Sequence, residues 1–191
     1  MINRGSCALI LLSFLFISYF AFAETIAFDG YVIDVPEGWS RHGTYYNKSI
    51  DDQEVFPKIK FMSDELRSTL ADYAQYIIDL LYARATMVEP ITEVSVNQVK
   101  AIRFIAEYNA GQTWARTGSK SASRILHYIF EFEDKDKKTS RAYSIIFSDK
   151  VDDFDRSIPE FEQIAKSLRE KTIEMEKGIM EEDAMMEGTD E

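Results

Sequence analysis

At 191 residues, with 33 acidic against 22 basic side chains, the chain carries a formal net charge of −11. That balance repels nucleic-acid phosphates and anionic lipids and favours basic partners. Its one cysteine, Cys7, lies at the start of the chain, so the remainder holds no disulfide framework, no thiolate metal site and no lipidated cysteine, and its length is ordinary for one domain able to bury most of its apolar surface.

Arg4 is the one charge in the first 23 residues, and an apolar run follows over residues 8–22, broken by Ser13 and Ser18. The run ends in Ala21-Phe22-Ala23 before Glu24. A positive start, a short apolar centre and an A-x-A exit predict a cleaved signal peptide over residues 1–23. The rival, an uncleaved anchor, is disfavoured because 15 residues fall short of the ~20 that a spanning helix needs. Nothing later is long and apolar enough to span. The leader takes away one Arg and no acid, so the secreted or periplasmic product is one charge more negative than the whole.

The next segment reads T-I-A-F-D-G-Y-V-I-D-V. Asp29-Gly30 is a two-residue hairpin signal. It sets Phe28 opposite Tyr31 and Ile26 opposite Ile33, on one face with Val35. Pro36 and Gly38 end the strand, and Trp39 is expected to pack under the sheet. Residues 40–55 are polar, with an edge strand near 44–47, and residues 56–62 form a strand. A helix is predicted from residue 63 or 68 to 85. Leu66, Leu70, Tyr73, Ile77, Leu81 and Arg84 recur at helical spacing, and Asp64 and Glu65 suit a helix N-terminus.

A second hairpin turns at Asn97-Gln98, between Val94 and Val96 on one side and residues 99–108 on the other. Ile102, Phe104, Ala106 and Tyr108 share a face. Residues 111–123 read as a loop holding Trp114. Two long strands follow, one with Leu126, Tyr128, Phe130 and Phe132 on one side, the next with Tyr143, Ile145 and Phe147. A charged loop at 134–138 joins them. Ser157 and Glu160 fit an S-x-x-E capping box with Pro159 in the first turn. Phe161, Ile164, Ala165 and Leu168 form the stripe of that last helix. Residues 170–191 hold nine carboxylates against Lys171 and Lys177, with Met175, Met180, Met185 and Met186. That composition predicts a disordered or frayed acidic tail outside the body. The expected class is α+β, an antiparallel sheet built from hairpins with flanking helices, over residues 24–169.

The chemistry of turnover is sparse. His127 alternates with Ile125 and Ile129 on a strand, and His42 lies in a polar segment. Sequence order does not decide a spatial Ser-His-Asp triad, but no G-x-S-x-G elbow is present. Gly118-Ser119-Lys120-Ser121 lacks the phosphate-loop spacing. Asp134 and Asp136 lack the glycine and terminal Glu of a calcium loop. Asp149, Asp152, Asp153 and Asp155 are dense enough for weak calcium binding, yet read more simply as solvated charges at a helix N-terminus. Asn47-Lys48-Ser49 is a glycosylation sequon in a eukaryotic secretory pathway. No catalytic, cofactor-binding or metal residue is assigned, and no cofactor is expected. The candidates for contact with a partner protein are Trp114, Tyr45 and Tyr46, because such rings anchor interfaces.

Four stretches resemble the PsbP-like superfamily. They are Val35-Pro36-Glu37-Gly38-Trp39 after the first hairpin, S-T-L-A-D-Y over residues 68–73, V-N-Q-V-K-A over 96–101, and the closing Phe161, Ile164, Ser167 and Leu168. Gln98 stands where members usually carry a glycine. That superfamily includes photosystem II PsbP, Ran-binding Mog proteins and periplasmic DcrB-like proteins, and its members are mostly binding or accessory domains without a common active site. The resemblance implies an exported, non-enzymatic accessory protein of the periplasm or cell envelope. Its alternatives are an immunity protein that neutralises a secreted type VI toxin, and a small-molecule or metal-binding domain using the concave face of the sheet.

Overall fold

The structure is a computed structural model that describes residues 22–28, 31–48, 56–117, 119–134 and 139–171. The predicted leader up to residue 21, the Asp29-Gly30 turn, the loop at 135–138 and the tail from 172 lie outside the described residues.

Ten strands and three helices are described: β1 (Phe22–Phe28), β2 (Tyr31–Pro36), β3 (Ser40–His42), β4 (Tyr45–Asn47), β5 (Lys58–Leu66), α1 (Leu70–Leu81), β6 (Thr86–Val96), β7 (Val99–Tyr108), α2 (Ala110–Thr117), β8 (Ser123–Asp134), β9 (Thr139–Lys150), α3 (Val151–Lys166) and β10 (Arg169–Glu170). They form a seven-stranded sheet in the order β3-β4-β5-β9-β8-β7-β6 and a three-stranded sheet in the order β1-β2-β10. The pairings are antiparallel. The class is α+β, as the hairpin pattern predicts.

Period-2 alternation on the long strands builds a core on each side of the large sheet. On one side Leu126, Tyr128, Phe130 and Phe132 of β8 and Tyr143, Ile145 and Phe147 of β9 meet Phe154, Phe161, Ile164 and Ala165 of α3, with Ile33 and Val35 of the small sheet and Trp39. Phe147, Phe154 and Phe161 are fully buried, and each such ring contributes about 1.5–3 kcal/mol. On the other side Ile102, Phe104, Ala106 and Tyr108 of β7 and Ile125 and Ile129 of β8 meet Leu70, Tyr73, Ala74 and Ile77 of α1.

The first hairpin has the expected register, with Phe28 opposite Tyr31 and Ile26 opposite Ile33. In the second, Asn97 and Gln98 both take positive φ, 49° and 69°, the backbone of a type I′ turn. Gln98 therefore holds a conformation that glycine adopts more cheaply. Asn97 also donates from Nδ2 to the carbonyls of Lys166 (2.5 Å) and Leu168 (2.8 Å), tying the turn to the end of α3.

Three expectations are corrected. The first helix begins at Leu70, where Thr69 Oγ1 caps the amide of Asp72. Asp64, Glu65 and Leu66 belong instead to β5, because pairing with β9 through Leu66 opposite Ser140 draws them into the ladder. Residues 110–117 are helical rather than a loop. The side chains of Asn109 and Gln112 each accept the other's backbone amide, at 3.0 and 2.9 Å, a reciprocal cap that nucleates this short helix. Finally, Ser157 and Glu160 are no capping box. The last helix starts at Val151 with Asp152 and Asp153 in its first turn, and Pro159 sits inside it. Ser157 Oγ donates to Asp149 Oδ2 at 2.5 Å. Glu160 accepts from Trp39 Nε1 at 3.0 Å and from Lys48 Nζ at 2.5 Å.

Candidate functional site

Helix α1 packs on β7 and β8 and covers β5 and β9 only near Leu66 and Ala142, leaving the other ends of those two strands open on the same face. The alternation of β5 brings Lys58, Lys60 and Met62 to this open flank, beside Ser148, Ile146 and Ser144 of β9. The C-terminal end of α1 contributes Leu81 and Tyr82, and α2 contributes Thr113, Arg116 and Thr117. Together they enclose a cleft of about 160 Å³ whose floor includes Ile125 and Ile146.

Its rim is basic although the chain is acidic. Arg116 is fixed from beneath: Nη1 donates to the Leu81 carbonyl at 3.0 Å and to Tyr108 Oη at 2.8 Å. Its guanidinium lies 4.5 Å from the Tyr108 ring centroid, a cation–π arrangement. Tyr108 Oη also donates to Leu81 O. A cation at the carbonyl end of α1 is favoured by the helix dipole. Lys58 Nζ lies 4.1 Å from the centroid of Tyr45. Burial holds the Lys58 ammonium below the usual lysine range, and the charges of Lys60 and Arg116 add to that. Lys58, Lys60 and Arg116 form no ion pair among the described residues.

Beneath Tyr82 lies His127, fully buried, with Nδ1 3.1 Å from Tyr82 Oη. Its Nε2 has no hydrogen-bond partner among the described residues. Burial pushes the imidazole down to about 3 and the Tyr82 hydroxyl well up, because neither charged form is solvated there. His127 is fully buried behind Tyr82, which separates the imidazole from the cleft.

The sequence-predicted contact residues are dispersed. The ring of Tyr45 is half-buried, stacked with His42 at 5.8 Å and touching the cleft through Lys58. Tyr46 turns the other way. It is buried in the opposite core and its hydroxyl donates to Glu24 Oε1 at 2.8 Å, so Tyr45 is the more accessible of the two rings. Trp114 falls within α2, and its side chain lies outside the described residues. Trp39 is buried, as expected. Asn47 of the sequon is buried too, and its Oδ1 has no hydrogen-bond partner among the described residues.

The acidic segment is occupied internally. Asp149 is buried, accepts from Ser157 and from the Lys150 amide, and has its carboxyl raised by burial. Asp153 pairs with Arg156 and Asp155 with Arg124. Among the described residues no group of three or more His, Cys, Asp or Glu is arranged to hold a metal, and no helix is long and apolar enough to cross a membrane. The basic cleft was missed at the sequence level. Its one local signal is Lys58-Ile59-Lys60, two cations at strand spacing on the face that also carries Met62.

No protein-family model and no curated protein matches the sequence. Solved structures do resemble the fold. Cyanobacterial PsbP (CyanoP) from Synechocystis sp. PCC 6803 superposes with a TM-score of 0.52 at 12% identity, covering 87% of this chain and 98% of that one. LpqN of Mycobacterium tuberculosis, described as involved in cell envelope biogenesis, gives 0.56 at 9% identity, covering 74% and 83%. The Saccharomyces cerevisiae Ran-binding protein Mog1p gives 0.42 at 14% identity, covering 73% and 89%. The first two likenesses make the fold PsbP-like, in agreement with the four sequence stretches.

Proposed function

We propose that this PsbP-like chain is an exported accessory protein of the cell envelope that acts by binding a partner, without catalysis. The observation that carries the reading is the character of the cleft. Fixed cations and aromatic rings surround an apolar floor, and the nearby imidazole, His127, is sealed and neutral. Such a surface recognises and holds, and the buried imidazole is no poised acid or base for it. The leader-like residues 1–23 support export, and a fold shared with an envelope-biogenesis protein supports the compartment. In this reading residues 24–169 form the working domain and the acidic tail beyond it stays outside the core. Outside that cationic cleft the surface is acidic, and a net charge of −11 suits a basic partner there.

Mass spectrometry of the protein from the envelope fraction tests the first half: its N-terminus is expected at Glu24, and retention of Met1 in that fraction refutes export with cleavage. Crosslinking in whole cells tests the second half. One partner is expected, its capture weakened by Tyr45→Ala and by raised salt, since exposed charges are screened within ~10 Å at 0.1 M. Turnover of a substrate by the purified protein would refute a purely binding role. One observation favours a second reading, a small-molecule binding domain, and it is the cleft of about 160 Å³ itself.

A further inference from the structure

We propose that the cleft beside α1 binds a small organic anion, whose carboxylate or phosphate monoester head meets Lys58, Lys60 and Arg116 and whose apolar body, about the size of one ring, rests on Ile125, Ile146 and Met62. The proposal rests on the small-molecule reading of this site and names the chemistry of its ligand.

The placement of charge is the first argument. A chain with 33 acidic side chains has ample means to neutralise three neighbouring cations, yet pairs none of them with a carboxylate among the described residues. Lys58 and Lys60 project from the same face of one strand, and Arg116 reaches over from α2. Like charges gathered over an apolar floor destabilise the empty protein, an arrangement characteristic of sites whose positive potential has a use. The lowered proton affinity of Lys58, caused by burial and then by Lys60 and Arg116, reports the same crowding.

The geometry of Arg116 is the second argument. Both of its hydrogen bonds to Leu81 and Tyr108 leave from Nη1. Nη2 and Nε are not engaged by a described residue, so the guanidinium is held in place with donors in reserve. A planar fork anchored on one side and free on the other is suited to bidentate recognition of a carboxylate or phosphate.

The floor and the volume set the rest. Ile125, Ile146 and Met62 offer apolar surface rather than hydrogen bonds. A cavity of about 160 Å³ is close to the ~150 Å³ apolar cavity that accommodates benzene. A bare inorganic ion would leave that surface wet, and a long acyl chain would not fit.

The test uses the protein purified as the cell produces it, at low salt, with four probes followed by isothermal calorimetry and amide NMR: benzoate, phenyl phosphate, inorganic phosphate and benzyl alcohol. Benzoate, phenyl phosphate or both are expected to bind one to one, with shifts on β5 and α2, about 10-fold more tightly than inorganic phosphate or benzyl alcohol. Benzoate alone identifies a carboxylate ligand, phenyl phosphate alone a phosphate monoester, and equal binding a site that reads charge and ring without discriminating heads. Lys60→Gln is expected to weaken the preferred anion about 10-fold while leaving the melting temperature of the free protein equal or higher. A lysine with a merely structural role would lower it. Arg116→Lys is expected to weaken binding by a similar factor through loss of the fork. Inorganic phosphate binding as tightly as phenyl phosphate, or anion binding unaffected by Lys60→Gln, overturns the proposal. Benzyl alcohol taken up as well as the anions keeps a small-molecule site and overturns only its anionic character. Failure of all four probes removes the proposal and the small-molecule reading together, while partner capture judges the accessory role separately.

Discussion

His127 makes stability depend on pH. In the unfolded chain its imidazole takes up a proton near pH 6.5, whereas in the fold burial pushes it down to about 3. Below pH 6.5 the unfolded state therefore binds one more proton than the native state, and acid favours unfolding. The stabilisation from keeping His127 neutral is intact above about pH 7. It is lost progressively as the pH falls towards 3, at roughly 1.4 kcal/mol per pH unit. Integrated over this window, the loss is about 2 kcal/mol between pH 7 and pH 5, and about 3 kcal/mol by pH 4. Carboxylates titrate as well, so the informative quantity is a difference. His127→Gln removes the titration and keeps a hydrogen-bonding group beside Tyr82. Urea denaturation of both proteins at pH 7 and pH 5 is expected to show the wild type losing about 2 kcal/mol of its advantage over the variant. A gap that stays constant across that interval refutes the reasoning and means that water reaches the imidazole.

Other perturbations have expected outcomes of comparable size. Ser157→Ala withdraws a 2.5 Å hydrogen bond from the buried Asp149 and is expected to cost about 1–3 kcal/mol in chemical denaturation; an unchanged midpoint shows that Asp149 finds another donor. Gln98→Gly relieves a left-handed residue at φ 69° and is expected to raise stability by about 1 kcal/mol; destabilisation refutes the type I′ assignment. Asp34→Asn breaks the paired contacts to Arg169 at 2.6 and 2.9 Å, and should cost about 1–3 kcal/mol and speed hydrogen exchange in β10. Unaltered exchange there would separate β10 from that ion pair.

Much of the fold was legible because the strands alternate cleanly. Phe28 and Tyr31, or Val96 and Val99, specify register through turn residues two positions wide, and Phe161, Ile164 and Leu168 mark a buried stripe. Local signals failed where tertiary pairing or a rival cap prevailed. Residues 63–66 have helical credentials, yet β9 offers them a ladder. Ser157-x-x-Glu160 imitates a cap, but Glu160 is drawn to Trp39 and Lys48, while the working reciprocal cap is Asn109 with Gln112. The cleft was illegible for a different reason. Lys60 and Arg116 are far apart in sequence and meet only because the strand order sets β5 and β9 alongside β8 and β7. Strand order is a property of the whole sheet.

The small sheet has a consequence for how the molecule is made. Strand β2 lies between β1 and β10, and Asp34 is held by Ser167 and Arg169, 133 and 135 positions further along. A chain delivered N-terminus first exposes the open edge of β2 until nearly everything else has emerged. Closing a loop of that span costs about 4 kcal/mol of entropy, which the Arg169 fork, the Ser167 bonds and the burial of Leu168 must offset in the same event. Completion of the small sheet is thereby coupled to the arrival of residues 167–170. A product cut short before Leu168 would leave Asp34 without its counter-charge and β2 paired on its β1 side alone, an open edge of the kind that proteases and aggregation both find. The last few residues of the folded body thus act as a latch on β2, one that locks only once Arg169 is in place.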